Sequence, residues 1–80
     1  MLNTKEKEML LVLLKKRLLE FTPIEVSKLI GVSNKTIINR CAKLANNGFI
    51  VPNIMGQRIR SYSLSEFTKR NEKNIISKIG

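Results

Sequence analysis

The stretch from Thr22 to Ser33 leaves this chain the least freedom. Thr22-Pro23-Ile24-Glu25 has the form of a helix start. The threonine hydroxyl can accept the N–H three residues on, the proline stands where a missing N–H costs nothing, and the glutamate can bond back to the cap. Gly31 marks the stop, because glycine takes positive φ without a steric penalty. Val32 and Ser33 follow at once, and Ser33 can cap a second helix. The first helix carries Val26, Leu29 and Ile30 as its apolar residues. The second is expected over 34–47, with Ile37, Cys41 and Leu44 as its buried stripe. Gly48 ends it, and Phe49 can fold back on its last turn.

The flanking segments read in the same way. A helix capped by Asn3 or Thr4 is expected to run to about residue 19, with Glu6 and Glu8 in its first turn, where the helix dipole favours negative charge. Leu10, Leu11, Leu14 and Leu18 fall on one face. Met9, Val12 and Leu13 form a second apolar stripe that needs a cover, either the C-terminal tail or a second copy of the chain. Glu20-Phe21-Thr22 is an extended connector ahead of proline. After Gly48 the period changes: Phe49-Ile50-Val51 reads as a strand, 52–57 as strand end and turn with Gly56 at the apex, and 58–64 as a returning strand. Ser65 can cap a last helix over 66–79, whose apolar residues are Phe67, Ile75, Ile76 and Ile79. The expected fold is mainly α with a small β-hairpin, in one domain over 1–64 followed by a C-terminal helix at 65–80.

Composition removes whole classes of chemistry. The 80 residues contain 15 Lys and Arg, 6 acidic residues, no histidine and one cysteine, for a net charge of +9. Without histidine there is no imidazole base and no His-bearing metal site. Cys41 alone closes no intrachain disulfide or thiolate cage, and on a buried stripe it reads as a small core hydrophobe. The chain is therefore not expected to be an enzyme, and no cofactor, metal or small-molecule ligand is expected. The apolar run at 9–14 is shorter than the roughly 20 residues a membrane span needs, no leader cleavage site follows it, and a lone cysteine suits a reducing compartment; the expected location is the cytoplasm. A charge this high points to a polyanionic partner, against the plainer reading of solubility alone.

Helix, helix, tight turn, helix and hairpin is also the plan of the winged helix-turn-helix. The stretch Val26-Ser27-Lys28-Leu29-Ile30-Gly31-Val32-Ser33-Asn34-Lys35-Thr36-Ile37 resembles that family's turn signature, and Ala42-Lys43-Leu44-Ala45-Asn46-Asn47-Gly48-Phe49-Ile50 resembles its usual helix end and entry to the wing. The likeness covers roughly residues 5–64 and is nearest to short stand-alone bacterial, phage or plasmid transcription regulators. Three positions depart from the pattern. Ser27 replaces the usual alanine, its hydroxyl expected to bond the carbonyl four residues back; Cys41 replaces leucine; Ile38 stands where a polar residue is common.

The resemblance implies a recognition helix at 34–47 in the major groove of double-stranded DNA and a wing at 49–64 on the backbone or minor groove. On the outward face of that helix Lys35 can reach guanine or phosphate, Asn39 an adenine edge and Ile38 a thymine methyl group, with Asn34 and Lys43 at the margins. Ser33 and Thr36, with the N–H groups at the helix start, can hold a phosphate. Gln57, Arg58 and Arg60 are the wing's contacts. Plainer readings stand beside these: Lys35 and Lys43 as solvated charges, Asn39 as a surface amide, Ile38 packed on the wing or on helix two, and the arginines as protection of an edge strand. About five phosphate contacts would give a salt slope of about −4 to −5. One small domain makes few base contacts, so a homodimer is expected, through the second stripe of helix one and the apolar residues of the C-terminal helix. The alternatives are a protein-interaction adaptor, or an accessory DNA-binding protein of plasmid or phage replication or excision.

Overall fold

The computed structural model describes residues 2–79, so positions 1 and 80 of the two expected segments lie outside it. It contains α1 (Thr4–Lys15), β1 (Glu20–Phe21), α2 (Pro23–Ile30), α3 (Asn34–Asn46), β2 (Ile50–Met55), β3 (Arg58–Leu64), α4 (Glu66–Arg70) and α5 (Glu72–Ile79). The architecture is a small α+β fold. Five helices pack with a three-stranded antiparallel sheet of order β1-β3-β2. Among the described residues no helix is long and apolar enough to cross a membrane.

The end signals of α2 and α3 hold in detail. Thr22 and Glu25 form a reciprocal capping box, and Gly31 takes φ 84°. Ser33 caps α3, its oxygen accepting from the Thr36 N–H at 3.2 Å. At the far end Gly48 has φ 80°, with its N–H bonded to the Ala45 carbonyl and the Phe49 N–H to the Leu44 carbonyl, both at 3.0 Å. These are the paired bonds of a Schellman ending. Ser27 differs from expectation. Its hydroxyl donates forward, to the Val32 carbonyl, and not to a carbonyl one turn back. The chain reverses at Gly31 and brings that carbonyl over the last turn of α2, so the side chain staples the corner between α2 and α3.

α1 is shorter than expected. Asn3 is its cap, in a capping box with Glu6, but it ends at Lys15, with Lys16 as C-cap and Arg17 in the left-handed region at φ 53°. The physical reason lies beyond the helix. Glu20–Phe21 is a true strand paired with β3, and the Leu64 N–H bonds the Leu19 carbonyl at 3.0 Å, so the chain must turn out of the helix early. Leu18 is then half-buried beyond the helix and Leu19 is exposed. β2 is longer than the 49–51 reading and reaches Met55. That leaves a two-residue turn, Gly56 and Gln57, with Gly56 at φ 66° and Met55 facing Arg58. Glycine first in a two-residue turn matches the twist of a hairpin. A bulge makes Arg60 the extra residue of β3, since Ile54 pairs with Ile59 and Asn53 with Ser61.

The core draws on nearly every element. Leu10, Leu13, Val26, Ile37, Cys41 and Leu44 are fully buried, and Phe21, Ile50, Tyr62 and Leu64 close them in from the sheet. Leu29, expected among the apolar contacts of α2, is instead about half exposed. The sheet's other face is polar: Asn53 Nδ2 donates to the Ser61 and Ser63 hydroxyls, and Ser61 Oγ donates to Glu20 at 2.7 Å.

The single last helix is in fact two. Ser65 Oγ donates to the Gly48 carbonyl and Thr68 Oγ1 to the Phe49 carbonyl, both at 2.7 Å, which ties α4 to the end of α3. Ile75, Ile76 and Ile79 must reach α1, in another direction, and the helix bends at Asn71, whose side chain bonds the Phe67 carbonyl. α5 thus covers the second stripe of α1 within one chain. Met9, Leu13 and Ile75 are buried, Val12, Ile76 and Ile79 half-buried. Of the two covers open to that apolar surface, the C-terminal tail or a second copy, the tail takes most of it.

Candidate nucleic-acid interface

α3 has two sharply different sides. Ile37, Cys41 and Leu44 face inward with no exposure. At 3.6 residues per turn the line opposite them is Lys35, Asn39, Ala42 and Asn46, and all four are exposed. Ile38 flanks that line on one side and Lys43 on the other, also exposed. Neither Lys35 nor Asn39 is covered by another part of the molecule. Ile38 is 45% exposed, so it is not packed away on the hairpin or on α2. Asn46 belongs to this line, yet it stood too near the expected helix end to be singled out from sequence. The spacing of 35, 39, 42 and 46 was the signal.

The start of α3 is partly committed. Thr36 N–H is spent on Ser33 Oγ, the Ser33 and Thr36 hydroxyls lie 2.8 Å apart, and the Ile37 N–H bonds the Ser33 carbonyl at 3.1 Å. What a phosphate can meet there is the N–H groups of Asn34 and Lys35, which have no intrahelical acceptor. Ser33 and Thr36 thus act mainly on each other and on the cap.

In the hairpin Gln57, Arg58 and Arg60 are all exposed. Arg60 occupies the bulge, a position that turns a strand locally. The hairpin is anchored to α3, because Ile50 is buried in the core and the Phe49 N–H bonds back to Leu44. The sequence reading missed the tip's apolar residues Ile54, Met55 and Ile59, all exposed. Residues 52–57 read as strand end and turn; β2 in fact runs through Ile54 to Met55, and Ile59 of β3 stands opposite Ile54.

Charge supports the same surface. From position 26 to position 65 the chain has Lys28, Lys35, Arg40, Lys43, Arg58 and Arg60 and no carboxylate, a net +6, while the rest of the molecule carries +3. The ion pairs among the described residues, Lys5 with Glu8 and Lys69 with Glu66, lie outside that segment. Among the described residues its cations form no ion pair. Cys41 contributes nothing reactive: burial pushes its thiol up from 9.0 to about 12, which keeps it protonated and inert. Burial, and then the nearby Cys41, also raises Tyr62.

No protein-family model matches the chain, and no curated protein matches it.

Proposed function

We propose that this protein is a winged helix-turn-helix and binds double-stranded DNA sequence-specifically as a small transcription regulator. The carrying observation is the exposed line Lys35, Asn39, Ala42 and Asn46 on a helix anchored by its opposite side, inside a 26–65 segment free of carboxylates. α3 enters the major groove, leading with Asn34 and Lys35. Asn39 makes two hydrogen bonds to one adenine edge, Ile38 lies on a thymine methyl group, and Lys43 adds a flanking phosphate contact. The Ser27–Val32 bond and the left-handed Gly31 fix the angle at which α2 braces α3 on the duplex. Gln57, Arg58 and Arg60 hold the neighbouring backbone.

A homodimer belongs to the proposal on grounds of specificity, since one helix reads too few base pairs for selection in a genome. Its recognition helices would lie about 34 Å apart on a near-palindromic site. Selection of bound duplexes from a random pool tests binding, base preference and half-site spacing together. A selected consensus, with Asn39→Ala losing preference at one position, is expected; a pool that stays random after repeated rounds refutes the reading. Sedimentation as a monomer at high micromolar concentration and on the selected site removes the dimer.

A further inference from the structure

The end of the hairpin is built unlike a purely electrostatic arm. Ile54, Met55 and Ile59 are 63%, 65% and 51% exposed. Ile54 and Ile59 are cross-strand partners, so both side chains leave the same face of the ribbon. Closer to the body that face carries Ile50, Tyr62 and Leu64 into the core; past the body it carries the isoleucine pair into solvent. Met55 leaves the opposite face beside Arg58, and Arg60 sits in the bulge next to Ile59. An exposed apolar hairpin end is an aggregation hazard, and large apolar side chains clustered on a surface mark a contact.

We infer that this tip is a wedge for the minor groove: the Ile54/Ile59 pair enters at one base step of duplex DNA, Arg58 and Arg60 hold the phosphates on either side, and the duplex bends away toward its major groove. The inference rests on the DNA-binding reading above. A β-ribbon with its side chains is about 10 Å thick, and the minor groove is about 6 Å wide. The ribbon therefore fits only where the groove is opened. Arginine alone favours the reverse, a narrow groove of strong negative potential. The apolar pair between the arginines favours the opened form, because its contacts with the parted bases replace part of the lost stacking. Flexible pyrimidine–purine steps open most cheaply. The occupant is DNA and not a lipid surface because the ribbon is fixed to α3 through Ile50 and the Phe49–Leu44 bond, which places it beside the helix that carries the uncommitted lysines.

The test uses the full chain and a duplex of about 30 base pairs with one central TA step, dyes on both ends and 2-aminopurine in place of the central adenine. The parent protein is expected to bend it by at least about 20° and to brighten the 2-aminopurine. The Ile54→Thr/Ile59→Thr variant keeps β-branched residues in both strands, so the hairpin is retained, which circular dichroism checks. It is expected still to bind through α3, with a salt slope flattened by up to about 1.8, but neither to bend nor to brighten the probe. Binding by the parent without bending overturns the wedge and leaves the DNA reading intact. So does bending by the threonine variant equal to the parent's. If the double substitution only lowers affinity for phosphatidylglycerol vesicles, the tip is a lipid contact and the wedge is wrong. Absence of any duplex binding by the parent defeats the DNA reading itself.

Discussion

Salt dependence of binding offers a quantitative test of which cations meet phosphate. Six basic residues fall in the carboxylate-free segment, and one of them, Arg40, is half-buried. Five or six neutralised phosphates give a slope of log K against log salt of about −4.5 to −5.4. Raising salt from 50 to 200 mM should then weaken binding by about 500- to 2,000-fold. Arg58→Ala with Arg60→Ala removes two of those contacts. The slope should flatten by about 1.8, and the same salt step should cost only about 40- to 150-fold. Net charge alone cannot produce this result if a matched control behaves differently. Lys69→Ala with Arg70→Ala also lowers the total from +9 to +7, but on α4, where Lys69 already pairs with Glu66 at 3.2 Å. That control should keep the parent slope. Fluorescence anisotropy on a labelled duplex, titrated at several potassium chloride concentrations, reads all three proteins. Equal slopes for the parent and the wing variant, or equal flattening by the control, would refute the assignment of the wing arginines to phosphate.

Further expectations concern stability. In Gly31→Ala an added Cβ meets nothing within 4 Å, so only the left-handed backbone at φ 84° resists it. That penalty of about 1–2 kcal/mol, less about 0.4–1 regained from a stiffer unfolded chain, leaves a mid-range cost of about 0.8 kcal/mol and should lower Tm by about 3–6 °C. An unchanged Tm would mean the corner relaxes. Arg17 ends α1 at φ 53°, and Arg17→Gly should raise stability by up to about 1 kcal/mol in a urea titration; a loss would show that the arginine side chain holds the turn. Cys41 should make folding sensitive to alkali. Its thiol holds its proton to about 12 when folded and to 9.0 in the ordinary state, so its contribution is complete below pH 9 and fades as pH rises toward 12. Cys41→Val should show a shallower loss of stability over that window, and identical pH profiles would contradict the burial of the thiol.

Most of the helical frame was legible because its stops are chemical. Thr22, Pro23, Glu25, Gly31, Ser33 and Gly48 each satisfy a backbone group or take a backbone angle that other residues resist, and each does so where expected. What escaped notice was set by distant contacts. Nothing local in Lys16-Arg17 announces the end of α1; the pairing of Glu20–Phe21 with β3 imposes it. The bulge at Arg60 and the bend at Asn71 have the same origin, as does the forward bond of Ser27. For the candidate site, the outward face of α3 followed from its inward stripe. The apolar tip did not, because 52–57 reads as strand end and turn, which leaves open how far β2 runs.

The fate of the second apolar stripe on α1 bears directly on assembly. From the sequence that stripe had two possible covers, and α5 supplies the nearer one, following directly on α4, which the Ser65 and Thr68 hydroxyls tie to the end of α3. Burying Met9, Leu13 and Ile75 in one chain removes the need for a partner there. Of the apolar residues expected at a two-fold interface, Phe67 alone stays well exposed, at 55%, its ring 6.0 Å from that of Phe49. The two rings border an open groove with Leu2 and Ile79, rimmed by Lys7 and Lys78. A dimer that used this end of the molecule would bring four lysines together across its axis. Such a contact would be disfavoured at low salt and strengthened by screening, the opposite of DNA binding. Self-association and duplex binding should therefore respond to salt with opposite signs, so a dimer that forms only on DNA would have to be held by the spacing of its half-sites more than by this face.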